Sequence, residues 1–375
     1  MVAFKYFNFF SDSVVAIFNF FDLSVNSFTY EVLLPIGVSF YTFQAISYIV
    51  DVYKLRAKPI LSFLDFALYL SFFPQVIAGP IERVNRFYPQ LKGKLMPTYE
   101  QFKEGFFLFT IGLFQKVMIG DACGRIVDTI FFDLKHYTSF EILSASLLFT
   151  FQIYADFAGY SNMARGIGLF FGVQLSQNFK QPYFSRNIQE FWRTWHISLS
   201  TWLKDYLYIP LGGSRKGKIR GFINILIVML LGGLWHGASW NFVVWSAYHA
   251  IALVLFQVFK PKIKFNYISI TLTFLFVSLG WVLFRLNSLE QFESYIIQMK
   301  SLTVGPFYLR FLKMIVSFGS VLFLIDWFQR RFNSDAFLIH FKSQSLAFGI
   351  ALSLFLVCII YISIKKPYPF IYFQF

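Results

Sequence analysis

Apolar side chains in this chain come mostly in long runs, separated by short polar and basic stretches. A helix rising 1.5 Å per residue needs about 20 such residues to cross ~30 Å of hydrocarbon. Residues 31–50, 103–120, 141–159, 240–259, 266–286 and 345–363 meet that length. Residues 310–328 do so as well, with Lys313 and Asp326 near the ends, where they snorkel or face protein. Three further stretches are less regular. Residues 1–21 are aromatic but interrupted at Ser11-Asp12-Ser13, 62–80 are broken by Pro74 and end in Gly79-Pro80, and 221–234 are too short to cross unaided. The pattern predicts an all-α, polytopic integral membrane protein, read as a single domain over 1–375 without internal repeat or linker.

The segment 176–220 departs from this pattern, being too polar to span and too aromatic for a free loop. Phe191, Trp192, Trp195, Leu199 and Trp202-Leu203 recur every three or four residues, which predicts an amphipathic helix at the interface or wedged into the membrane. Pro182, Pro210 and Gly212-Gly213 supply the breaks. Non-helical backbone survives at membrane depth only when buried in protein or lining a wet cavity, so this segment is expected to build the floor of such a cavity.

Composition sharpens the class. The chain is 57% hydrophobic and 14% charged, and 53 of its 375 residues are Phe. A soluble domain carries about a quarter charged residues, so this one needs a bilayer around it. The net charge of +14 would suit nucleic acid on a soluble protein. Here Lys and Arg sit between apolar runs, the ordinary enrichment of cytoplasmic loops, and no nucleic-acid partner is expected. The basic block 165–220 is placed inside and the acidic loop 121–141 outside. Residues 82–103 are also basic, which requires 62–80 to be re-entrant or to pair with the first 21 residues. Two cysteines, Cys123 and Cys358, are too few and too far apart for a disulfide framework or a zinc site, and no metal is expected. The N-terminus lacks the cleavage site of a signal peptide.

Ionisable side chains at membrane depth are costly and suggest function. His236 lies in Gly232-Gly233-Leu234-Trp235-His236-Gly237, and an imidazole takes a proton from a hydroxyl near neutral pH. If 221–234 rises from the cytoplasmic face, about 15 residues lift His236 roughly 22 Å, well inside the bilayer. The flanking glycines let backbone or substrate come close. A core histidine bonded to a carbonyl is the equally weighted alternative. His196 follows Arg193 by three residues and shares a helix face with it, which suits an anionic group or a lipid headgroup surface. Asp156 closes an apolar run and needs a partner if buried, Arg193 or a histidine being the candidates; it otherwise faces water. Lys116 is expected to snorkel, and Glu82 with Arg83 to form a loop ion pair. No Gly-x-Ser-x-Gly elbow, P-loop or dinucleotide fingerprint occurs. Spacing thus supports a cavity with two histidines and names no reaction.

The residues themselves are more specific. Phe191-Trp192-Arg193-Thr194-Trp195-His196-Ile197-Ser198-Leu199-Ser200-Thr201-Trp202, then Asp205-Tyr206-Leu207-Tyr208-Ile209-Pro210-Leu211-Gly212-Gly213, then Gly232-Gly233-Leu234-Trp235-His236-Gly237 resemble the membrane-bound O-acyltransferase (MBOAT) family. Within it they are most similar to the bacterial alginate O-acetylase branch. Phe73-Pro74-Gln75-Val76-Ile77-Ala78-Gly79-Pro80-Ile81, Asp156-Phe157-Ala158-Gly159-Tyr160-Ser161 and the ending Pro369-Phe370-Ile371-Tyr372-Phe373-Gln374-Phe375 fit as well. Two departures stand out. Members of the branch carry roughly a hundred more residues before the match to Phe4, enough for two or three further spans, and Asn162 replaces a common Asp.

The resemblance implies a helical ring around a central cavity, with re-entrant or interfacial helices, in a bacterial inner (plasma) membrane. It implies His236 as the catalytic histidine and His196 as the second signature histidine. Arg193, Trp195, Asp156, Trp235 and Asn241 are the supporting or substrate-binding candidates. The expected reaction is acetyl transfer from a cytoplasmic donor, acetyl-CoA, toward an exported polysaccharide such as alginate. No bound cofactor is expected, and the expected partners are lipid, an exported or membrane-anchored acetyltransferase and polysaccharide machinery. The alternatives are a non-catalytic transporter or scaffold, or transfer of another acyl unit such as D-alanyl to teichoic acid.

Overall fold

The computed structural model describes residues 2–23, 25, 28, 37–76, 79–93, 95–260, 266–340, 356, 357, 359, 361 and 368–370. Regular structure among them is helical throughout. The chain begins with α1 (Val2–Phe20), α2 (Val38–Tyr53), α3 (Phe63–Ser71), α4 (Phe73–Val76) and α5 (Val84–Leu91). It continues through α6 (Tyr99–Phe114), α7 (Asp121–Phe132), α8 (Ser139–Phe170), α9 (Ile188–Thr194) and α10 (Ile197–Leu203). Then follow α11 (Lys218–His236), α12 (Trp240–Phe259), α13 (Asn266–Arg285), α14 (Leu289–Lys300) and α15 (Tyr308–Phe332). Among the described residues, six helical stretches are long and apolar enough to cross a membrane: Tyr99–Phe132, α8, α11, α12, α13 and α15.

Tyr99–Phe132 is α6 running into α7 through a widened turn at Gln115–Gly120. It starts where Thr98 and Gln101 satisfy each other: the Thr98 hydroxyl accepts the Gln101 N–H at 3.2 Å, and Gln101 Oε1 accepts the Thr98 N–H at 2.9 Å. Glycines let α6 lie almost backbone to backbone against α8. A Cβ on Gly112 would sit 2.5 Å from the Gly159 carbonyl oxygen, and one on Gly166 would sit 2.6 Å from that of Gly105. Small residues at such a crossing replace the hydrophobic drive that lipid removes. Gly159→Leu is therefore expected to force the two helices apart, at a cost of ~1–3 kcal/mol or more. The check is the monodisperse fraction after detergent extraction, and a wild-type elution profile would contradict the role of this contact.

Contacts also show which helix ends share a face. Asp51 at the end of α2 accepts a hydrogen bond from Tyr206 at 2.6 Å, Asp65 at the start of α3 accepts one from Tyr88 at 2.7 Å, and Ser176 bonds Glu82. Arg165 near the end of α8 pairs with Asp335 beyond α15 at 2.5 Å. One face thus gathers Arg83, Arg86, Arg165, Lys218, Arg220 and Arg330. The opposite face holds the loop where Ser139 accepts the Thr303 N–H at 3.1 Å. Within 62–80, the described residues form the broken pair α3–α4, and the chain after it ties Ile81 to Ser198 at 3.0 Å.

Several expectations are revised. The run 221–234 is part of a 19-residue helix that is long and apolar enough to cross. Lys218 and Arg220 stay exposed at its start, while Trp235 and His236 are buried among rings at its end. The acidic loop at 121–141 is instead largely helix α7, because its charges are paired: Asp121 with Lys116 at 2.5 Å, and Asp128 with Arg285 at 2.8 Å. Residues 2–20 form an unbroken helix despite Ser11-Asp12-Ser13. Of the run 31–50, the described part is helical from Val38, and residues 31–36 lie outside the described residues. Most of 345–363 also lies outside them, as do Cys358, Tyr372 and the ending beyond Phe370.

Candidate active site

The segment 176–220 is not one amphipathic helix. Helix α9 stops at Thr194, Trp195 is extended (φ −100°, ψ 128°), and His196 takes the left-handed conformation (φ 42°, ψ 56°) before α10 begins. Left-handed backbone at a residue with a side chain costs of order 1–3 kcal/mol and persists only where surroundings hold it. Of the residues at three- and four-residue spacing, Phe191, Trp195, Leu199 and Trp202 are buried, while Trp192 and Leu203 are half-buried. That spacing does not predict the break. Both outer ends of the α9–α10 pair lie at the basic face, Arg186 beside Phe259 and Asn266, and Tyr206 on Asp51. Its tip, His196, packs edge-on against Phe157 at 4.7 Å between ring centres. The pair is thus a wedge whose outer ends lie at the basic face and whose tip is packed among rings.

The break separates Arg193 from His196: the arginine is exposed and the histidine is 1% exposed. They do not share a helix face. Neither His196 ring nitrogen bonds another described residue, so backbone and neighbouring rings set its direction.

His236 ends α11, eighteen residues after Lys218, or ~27 Å along the axis. That is further than the apolar run implies, and it brings His236 to 5.4 Å from Phe284, one residue from the end of α13. A continuous wall of rings links the two histidines. His196 lies 6.1 Å from Trp235, Trp235 lies 4.8 Å from His236, and Trp245 stands perpendicular to His236 at 5.3 Å. Trp195 joins the wall through Trp281 at 4.7 Å. His236 keeps 8% exposure. The neighbouring glycines serve backbone approach: a Cβ on Gly233 would lie 2.5 Å from the Phe242 carbonyl oxygen of α12.

Asp156 and Asn241 each bond a neighbouring helix. Asp156 is buried within α8 and pairs at 2.7 Å with Lys116. Lys116 does not snorkel. The widened turn at Gln115–Gly120 carries it inward to Asp121 and Asp156, and its ammonium also donates to the Tyr368 carbonyl at 3.3 Å. Asn241 braces α12 to α13 by donating to the Phe284 carbonyl at 3.4 Å. Glu82 and Arg83 do not pair: Arg83 lies 3.7 Å from Asp205 and over the Tyr206 ring, while Glu82 is fully buried and accepts from Ser176. Burial raises the Glu82 carboxyl above the usual range, against the lowering effect of the Ser176 bonds and Arg86.

One candidate is missed by the sequence reading. His249 on α12 is 0% exposed and packs 5.2 Å from both Trp192 and Trp245. The i, i+4 spacing of Trp245 and His249 is the signal that would have found it. Two open grooves lie at the basic face. One of about 600 Å³ is lined by Arg186, Asn187, Phe256 and Asn266, and one of about 510 Å³ by Gln189, Lys218, Gln257 and Lys260. Among the described residues no three His, Cys, Asp or Glu side chains gather at metal-binding spacing.

The sequence profile of MBOAT, the membrane-bound O-acyltransferase family, matches residues 56–289, which include the wedge and both linked histidines. The chain belongs to this family. The six helices therefore make this MBOAT chain a multi-pass membrane protein. The "Probable alginate O-acetylase AlgI" of Pseudomonas putida is 44% identical over 291 residues, 76% of this chain and 59% of that protein. The "Peptidoglycan O-acetyltransferase" of Helicobacter pylori is 42% identical over 297 residues, 70% of this chain and 56% of that one. The "Teichoic acid D-alanyltransferase" of Bacillus subtilis is 28% identical over 274 residues, 66% of this chain and 68% of that one. This MBOAT chain thus spans less than two thirds of the length of the two O-acetylating relatives.

Proposed function

We propose that this MBOAT chain moves an acetyl group from cytoplasmic acetyl-CoA toward hydroxyls of an exported polysaccharide such as alginate. In the cell an exported or membrane-anchored partner brings the polymer to the chain, a supply that short soluble oligomers replace in vitro, and the chain works as one transmembrane unit in a bacterial plasma membrane. Enrichment of Lys and Arg on cytoplasmic loops puts the basic face inside. There the grooves carrying Arg186, Lys218 and Lys260 attract an anionic donor.

The observation that carries the reading is His236, a partly accessible imidazole at the end of a span, ringed by Trp235, Trp245 and Phe284. Its imidazole takes the proton of the accepting hydroxyl as that oxygen bonds the acetyl carbonyl carbon. The C–S bond then breaks and the thiolate leaves with the proton. The buried indole N–H of Trp245 makes no hydrogen bond to another described residue and is a donor available to the developing oxyanion. His196 at the wedge tip lies on the donor side of the same ring wall. D-alanyl transfer ranks below this reading, since the relative with that activity matches at 28% against 42–44% for the two O-acetylating ones.

The test is thioester consumption. Purified full-length protein in lipid nanodiscs, given acetyl-CoA and mannuronate oligomers, is expected to release free CoA thiol in proportion to protein. A transporter or scaffold would leave the thioester intact, and that outcome overturns the reading.

A further inference from the structure

We propose that Asn178 is a positioning residue that holds His196 at the wedge tip. The proposal rests on the reading that places His196 at the reacting centre. Asn178 is 0% exposed and lies in the extended stretch between α8 and the wedge. Its side-chain oxygen accepts the Ser198 hydroxyl at 2.6 Å and the Ser198 N–H at 3.4 Å, and its side-chain NH₂ donates to Ser161 on α8 at 3.1 Å. Its main-chain carbonyl accepts the Ile197 N–H at 2.9 Å, and two residues on, Lys180 N–H donates to the Thr194 carbonyl at 2.9 Å. Ser198 in turn accepts the Ile81 N–H at 3.0 Å, which ties the bracket to the loop at Gly79–Glu82.

These bonds enclose the one left-handed residue between α9 and α10 from both sides. They are what keeps the turn closed, because the His196 ring makes no hydrogen bond to another described residue. An asparagine is required by this geometry. The site needs an acceptor for Ser198 and a donor for Ser161 on one short side chain; aspartate lacks the donor, serine is too short, and glutamine is one methylene too long. With the bracket open, His196 would be free to leave its strained conformation and swing away from Phe157 and Trp235. A misplacement of about 1 Å costs a catalytic group up to ~10²-fold.

The experiment uses the full chain in lipid nanodiscs with acetyl-CoA and mannuronate oligomers. Asn178→Ala and Ser198→Ala are each expected to lower kcat about tenfold, with KM for acetyl-CoA within twofold of wild type. In a His196→Ala background, Asn178→Ala is expected to remove less than a further twofold, since a residue acting through His196 has nothing left to position. If Asn178→Ala fails to yield folded protein, Ser198→Ala decides, because it removes one hydroxyl, with its bonds to Asn178 and the Ile81 N–H, and leaves the Asn178–Ser161 bond in place. Wild-type kcat in Ser198→Ala, or a full additive loss beside His196→Ala, overturns the proposal. His196→Ala turning over at the wild-type rate would instead sink the role of His196 itself, so the two failures are read from different variants.

Discussion

His236→Gln in the full-length chain is expected to lower acetyl transfer by about 10²–10⁴-fold, the usual contribution of a general base. Glutamine fills much of the imidazole's volume and still hydrogen-bonds, but it does not accept a proton near neutral pH. The surrounding wall of Trp235, Trp245 and Phe284 packs on faces and edges, so it survives the exchange. Yield and elution should match wild type, and KM for the donor should move little, because the lost interaction belongs to the transition state. The measurement is transfer of labelled acetyl from acetyl-CoA to polymer. Undiminished transfer by His236→Gln would contradict the proposed chemistry, whatever other residues do.

Lys116→Met is expected to be the most damaging change for folding away from the histidines. Lys116, Asp121 and Asp156 are all buried, with ion-pair distances of 2.5 and 2.7 Å. Removing one member of a buried pair costs about 3–5 kcal/mol, because the charge left behind loses its compensation. Here two carboxylates are left. Replacing the whole group, as Lys116→Met with Asp121→Asn and Asp156→Asn, should recover much of that loss, since the desolvation cost disappears with the charges. Thermal unfolding followed by tryptophan fluorescence separates the two variants. A single variant as stable as wild type, or a triple variant no better than the single, would mean that the group does not hold these helices together.

What the sequence revealed, and what it hid, divides along the range of the interactions. Apolar runs report the cost of putting polar backbone into lipid, a local property, so α8, α12, α13 and α15 could be located from composition alone. Motif residues carried the family, because His196 and His236 stand in strings specific enough to recognise. Long-range pairing was invisible. Lys116 reads as a snorkelling residue in its own segment and becomes a buried cation only when Asp156 arrives on another helix. The turn at His196 was hidden for the same reason: aromatic periodicity continues across it, while the bonds that hold the chain left-handed come from Asn178. Arg193 was misjudged with it, since an unbroken helix would have put both residues on one side. His249 carries no local mark apart from its spacing to Trp245.

The wedge has a further consequence for cargo. Its tip stops against Phe157, close to the middle of α8, a helix long enough to cross a hydrocarbon layer ~30 Å thick. Under the proposed reading, the bulky nucleotide carrier stays on the side where it is made. Only the acetyl group goes further, passed directly from the carrier's sulfur to the acceptor's oxygen. Export of this modification then needs no conduit wide enough for the carrier.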